Sequence, residues 1–213
     1  DDDTPTATGT AVTDAVDEDG LTGQSTGIAG GTGDVVIGNA DLDNNESTTA
    51  GSVPGIFASG ADEPATYGLS SVTGGLSQTL TSKGGAVVYD VTGTTLTAYV
   101  ESGANSVYNS GVDRDVYVFT LNATTGAYTL ALEDQLDHAS LNGGAGDDTE
   151  NNLQLQLGSV LQATDRDGDT VTAAAEELGI DVDDDTPTAT GTGVTGAVDE
   201  DGLTGQSTGI AGG

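Results

Sequence analysis

The chain has 213 residues, of which 35 are acidic and three basic, for a formal charge of −32; Lys83, Arg114 and Arg166 cannot form the cationic cluster that phosphate binding needs, which excludes a nucleic-acid partner. Cysteine is absent, so disulfides and thiolate metal sites are closed to it, and oxygen ligation of hard cations is the remaining staple. The longest apolar runs are too short to cross a bilayer, so no membrane insertion is expected, and nothing at the N-terminus reads as a signal peptide.

Self-repulsion at this charge leaves two outcomes, an expanded disordered chain or a fold whose carboxylates are neutralised by bound cations. Apolar residues alternate in runs such as Val116 and Val118, and Leu153, Leu155 and Leu157, which is the patterning of a core. The fold is therefore expected with cations. With six Tyr, Phe57, Phe119 and no Trp, that core must be mostly aliphatic.

In chain order, the first segment is a repeat. Residues 1–31 recur at 183–213, differing only at Ala11 against Gly193 and Asp14 against Gly196, which gives a period of 182 residues. A near-identical repeat of this length points to a tandem array of whole domains and is far longer than the roughly 20 to 50 residues of a solenoid unit. The chain thus reads as an excised piece: 1–16 an acidic interdomain linker, 17–182 a β-sandwich repeat domain, and 183–213 the linker and start of the next repeat. Pro5 and Pro187 follow the two triple-Asp runs and favour an extended, stiff connection. Reach and avidity grow with copy number, whereas an enzyme gains little from it.

Residues 23–60 are rich in Gly, Ser, Thr and Asn, with a strand signal only at Asp34–Ile37, and predict long surface loops or an elaborated edge. Strand signals dominate from Thr66 onward. Ala86–Val91 and Thr95–Val100 read as a hairpin, and Asp115–Leu121 and Ala127–Leu132 as a second around Asn122 to Gly126, where Gly126 can take positive φ. Leu153–Gln162 alternates, turns through Asp165 to Asp169 and returns along Thr170–Thr172 toward Ile180 and Val182, a third hairpin. Ala173 to Leu178 allows a helical turn. The sum is an all-β, antiparallel β-sandwich.

Asp165-Arg166-Asp167-Gly168-Asp169-Thr170 places carboxylates at alternate positions around a glycine, which can fold oxygens about one calcium ion at about 2.3 to 2.6 Å. It begins like an EF-hand loop, but its Gly stands fourth instead of sixth. Glu176, the twelfth residue, would lie roughly 20 Å off along an extended strand, too far to be a ligand. The alternative is a solvated acidic turn. The second constellation is the junction: Asp183, Asp184 and Asp185 with Asp199, Glu200 and Asp201, mirrored by Asp1, Asp2, Asp3, Asp17, Glu18 and Asp19. A shared Ca2+ would relieve their repulsion and lock the angle between neighbouring repeats, where the alternative is a hydrated acidic hinge. Asp41, Asp43, Asn44 and Glu46 form a weaker candidate. The stretch from Gly143 to Asp148 matches one copy of a nonapeptide calcium repeat, and because such repeats work stacked, it reads as a loop. His138 and Ser140 make no catalytic set, since no cysteine, second histidine or nucleophile elbow accompanies them; His138 is expected in a structural or hydrogen-bonding role, and no enzyme is expected.

In these motifs the chain resembles the repeat domains of giant type I-secreted RTX adhesins, the biofilm-associated surface proteins of Gram-negative bacteria. The resemblance rests on Ala65 to Leu69 with a following Gly-Leu, Gly84 to Val87, Val118 to Leu121 with Thr125 to Leu130, Leu136-Asp137-His138, Ala163 to Thr172, and Asp183 to Pro187, in the family's order. Residues 23–60 depart from that pattern. The resemblance implies Ig-like sandwiches in a tandem array with calcium-rigidified linkers, an extracellular place on the bacterial cell surface, and a spacer function that projects a distal ligand-binding region in cell adhesion. It supports calcium at the triple-Asp linker with its acidic neighbours and at Asp165, Asp167 and Asp169. The expected partners are neighbouring repeats of the same chain, with the chain a monomer. The alternative function is an adhesive module binding sugar or another surface through residues 23–60 or through Tyr67, Tyr89, Tyr99, Tyr108, Tyr117 and Tyr128, although alternation makes several of these tyrosines core or cross-strand residues.

Overall fold

The computed structural model describes residues 4–21, 47–76, 79–103, 105–138, 152–184 and 195–196. In chain order the strands are β1 (Thr6–Ala7), β2 (Val12–Asp17), β3 (Thr48–Ser52), β4 (Phe57–Ala58), β5 (Thr66–Leu69), β6 (Thr81–Ser82), β7 (Gly85–Thr92), β8 (Thr95–Val100), β9 (Arg114–Leu121), β10 (Ala127–Leu132), β11 (Leu153–Gln156), β12 (Leu161–Thr164), β13 (Thr170–Thr172) and β14 (Leu178–Asp183). They form an all-β, sandwich-like fold.

One layer is an antiparallel sheet in the order β3-β10-β9-β8-β7-β6. Its two long hairpins are those expected from alternation. Thr92 pairs with Thr95 across a two-residue loop whose Gly93 has φ +63°, a conformation that side chains disfavour. In the β9–β10 loop the Asn122 side chain accepts from the Thr124 and Thr125 amides, and Gly126 takes φ +68°. Along β10, Tyr128, Leu130 and Leu132 are buried while Ala127 and Thr129 are exposed, the period of two that a half-buried strand imposes.

The remaining strands form the three-stranded sheets β11-β14-β2 and β13-β12-β5, with β1 and β4 a short pair. Ile180, Val182, Val16, Leu155 and Leu161 join Leu96, Val116, Phe119 and Leu130 in one aliphatic core cluster. β14 is central and almost wholly buried.

Three features differ from expectation, and a fourth decides between two alternatives. Residues 12–16, assigned to the linker, are strand β2, because Val16 is fully buried and pairs with Val182. That pairing is parallel, the exception among the described strands, which otherwise pair antiparallel. Leu153–Gln162 is not one strand: a 3-10 turn at Gly158–Val160 breaks it, so β11 pairs with β14 while β12 makes the hairpin with β13 and also pairs with β5. The break is fixed by packing, since Gly158 sits against the carbonyl of Ala174 with no room for a side chain. Finally, of the two alternatives for residues 23–60, long surface loops or an elaborated edge, the described part takes the edge: Thr48–Ser52 is an edge strand on β10, and Val53, Ile56 and Phe57 are buried. Gly51 lies under the Tyr128 ring, where only glycine fits. A 3-10 turn at Ala175–Glu177 supplies the helical turn anticipated there. Asp34–Ile37 falls outside the described residues.

Because β2 and β14 run side by side in the same direction, from Leu178 opposite Val12 to Asp183 opposite Asp17, the chain enters this sheet at one end and leaves it at the other. Six residues separate the two ends by about 20 Å.

Candidate metal centres

Where β2 and β14 finish, the paired Asp17 and Asp183 are only 2% and 7% exposed. Glu18 opens the 3-10 turn Glu18–Gly20 after β2, and Asp184 follows β14. His138 arrives from the segment beyond β10. Donor atoms of Glu18, His138 and Asp184 lie within 4.8 Å of one another. Glu18 Oε1 accepts the Leu136 amide at 2.6 Å and lies 3.2 Å from His138 Nε2, with both side chains almost fully buried. Burial pushes the Glu18 carboxyl above the usual range and the charge of Asp184 adds to this; the His138 and Leu136 contacts oppose it without prevailing.

The His138 segment is itself pinned. Asp137 accepts the Lys83 and Gly84 amides at 2.8 Å each and donates its own amide to the Thr81 carbonyl. Asp134 pairs with Lys83 at 2.6 Å and with Arg114. Burial raises the Asp134 carboxyl, but the hydrogen bonds from Lys83 and Arg114 outweigh it and hold the group below its usual range. Two of the three basic side chains are thus engaged at Asp134.

The second cluster joins Asp62, Asp165 and Asp167, whose donor atoms also fall within 4.8 Å of one another. The turn between β12 and β13 builds it. Asp165 Oδ1 accepts the amides of Gly168 and Asp169 at 3.0 and 2.8 Å, the Asp165 amide donates to the Asp169 carbonyl, and Gly168 adopts φ +110°. The Arg166 amide donates to the Asp62 carbonyl at 3.1 Å and brings in the 59–64 segment. Asp165 is 5% exposed and its Oδ2 is buried without a hydrogen bond.

Of the residues expected to bind metal, Glu18 and Asp184 are brought together, with Asp17 and Asp183 buried beside them, and Asp165 and Asp167 are brought together in the turn. Asp169 contributes its backbone to that turn and is not among the three donors. Asp1, Asp2, Asp3, Asp185, Asp199, Glu200, Asp201 and the Asp19 side chain lie outside the described residues, as do Asp41, Asp43, Asn44, Glu46, Ser140 and residues 143–148. No local spacing pointed to Asp62. His138 does make the hydrogen-bonding contact expected of it, but its place in a donor set had no local signal.

Both clusters gather side chains that could hold a metal ion, in different ways. The Asp62 group offers only carboxylates, the donors calcium prefers. In the Glu18 group, Glu18 and Asp184 are the oxygen donors, and His138 orients Glu18 through Oε1. The tyrosines sit in ring pairs: Tyr99 with Tyr108, Tyr89 with Tyr117, Phe119 with Tyr128 and Phe57 with Tyr67, at centroid separations of 5.0 to 6.5 Å. Tyr99, Tyr117 and Tyr128 are buried and the other three half-buried. Comparison with protein-family models, curated proteins and solved structures gives no match.

Proposed function

We propose that this chain is a calcium-stiffened spacer module of a repetitive bacterial surface adhesin, non-catalytic and extracellular, whose partners are the neighbouring repeats. The supporting observation is the parallel pairing of β2 with β14, which sends the chain in at one end of a sheet and out at the other, as a module strung end to end requires. The Glu18, His138 and Asp184 group lies at the end where the chain departs. An ion held there ties the departing strand to the turn after β2 and to the segment beyond β10. Freedom at the joint is then lost, and the array lengthens. Extracellular modules bind calcium at about 10⁻⁴ to 10⁻³ M, so the site fills outside the cell and empties inside it. The adhesive alternative has weaker support, since the tyrosines it would use are engaged in ring pairs with other aromatic side chains.

The test is small-angle scattering on two joined repeats in calcium and in EDTA. The expected outcome is a longer maximum dimension and a narrower distance distribution with calcium. Equal profiles in both would defeat the proposal.

A further inference from the structure

We infer that Asp62, Asp165 and Asp167 form a calcium site of their own, internal to the domain, which clamps the 59–64 segment onto the β12–β13 turn. The inference stands apart from the spacer reading, because it concerns neither the joint nor the next repeat.

Asp165 Oδ2 is buried and makes no hydrogen bond, and a buried acceptor left unsatisfied is costly. Its fellow oxygen is committed to two backbone amides, which fixes the carboxylate in place and leaves Oδ2 as the atom free to meet a ligand. The nearest side-chain groups in the cluster are the carboxylates of Asp62 and Asp167. Ionised carboxylates only accept. While all three are ionised none can donate to another, and a proton shared between Asp165 and Asp167 would satisfy that pair alone, whereas one cation serves all three.

The donor set selects the ion. It contains oxygen alone, which argues against zinc, nickel and copper. The donors come from two separate segments, which suits the larger and variable coordination sphere of calcium better than the rigid octahedron of magnesium, with backbone carbonyls and water completing the shell.

Position makes the site independent of the joint. Tyr67 of β5 donates its amide to the Ala123 carbonyl at the tip of the β9–β10 hairpin, while Leu136, just past the far end of β10, donates to Glu18. The sheet that carries Asp62 and Asp165 and the Glu18 group are thus anchored at opposite ends of that hairpin. Calcium at the first holds β5 and β12 together whether or not another repeat follows.

Calorimetric titration of the whole chain with calcium chloride, alongside thermal unfolding in calcium and in EDTA, tests the inference. Asp62→Asn is expected to remove one calcium equivalent, or to weaken it about ten-fold or more, to reduce the calcium-dependent rise in Tm, and to leave Tm in EDTA no lower than in the parent. Asp167→Asn, at an exposed position, should repeat the effect and guards against a folding defect at Asp62. Asp184→Asn, at the joint, should leave this equivalent in place. The inference is overturned if both Asp62→Asn and Asp167→Asn titrate like the parent, if Asp184→Asn abolishes the same heat, or if magnesium at equal concentration raises Tm as far as calcium does.

Discussion

Glu18 is a carboxylate placed where water hardly reaches. Without an ion, the folded protein holds its proton more tightly than the unfolded chain does. Folding therefore takes up a proton between the ordinary glutamate range and the raised value, and stability falls as pH climbs through that window. A bound cation favours the ionised form and removes that slope. Glu18→Gln, which keeps an oxygen for the Leu136 amide, is expected to flatten the decline of Tm with rising pH measured in EDTA, and to weaken calcium binding at the joint about ten-fold. A Tm profile in EDTA identical to that of the parent would show that Glu18 is not the group responsible. The carboxylate partners were legible because they are dense along the chain. His138 was not legible as a donor, since it meets Glu18 across 120 residues of sequence, and Asp62 reaches Asp165 across a similar gulf. Asp14 is a related case. It is one of two positions at which the repeat differs from itself, and it accepts the Tyr128 hydroxyl at 3.1 Å, a bond that the glycine at 196 cannot reproduce.

At the scale of elements, alternation betrayed the hairpins β7–β8 and β9–β10, where large apolar residues mark the buried face. β3 was hidden because Thr48–Ser52 carries only small side chains, and its glycine is there to admit the Tyr128 ring. β2 was hidden by its neighbours: the acidic residues around it read as linker, while what makes it a strand is Val16 against Val182 in a distant part of the chain. The break at Gly158 also has a tertiary cause, the close approach of the turns at 158–160 and 175–177. Gly158→Ala is expected to cost about 3 kcal/mol or more, because the added carbon collides with the Ala174 carbonyl, which the Glu177 amide of the 3-10 turn holds in place. Denaturant titration in calcium would measure it; a loss below about 1 kcal/mol would mean that the two turns can separate freely.

For the molecule as a whole, a charge of −32 works against compactness. In EDTA, raising sodium chloride from about 20 mM to about 500 mM shrinks the Debye length from roughly 20 Å to about 4 Å and should raise Tm markedly. In saturating calcium the same change should matter much less, because the clustered charges are neutralised locally. Salt dependence of equal size in both would mean that diffuse repulsion, and not the two clusters, limits stability.

The side-by-side course of β2 and β14 has a mechanical consequence. A tether under tension pulls on the domain through those two strands, from opposite ends and along their length. Once the two-residue β1–β4 contact has given way, the load runs in shear across the pairs from Leu178 opposite Val12 to Asp183 opposite Asp17. Sheared strands cannot peel apart bond by bond; the whole ladder must rupture together. In the spacer proposed above, a cell held in flowing water would hang from that ladder.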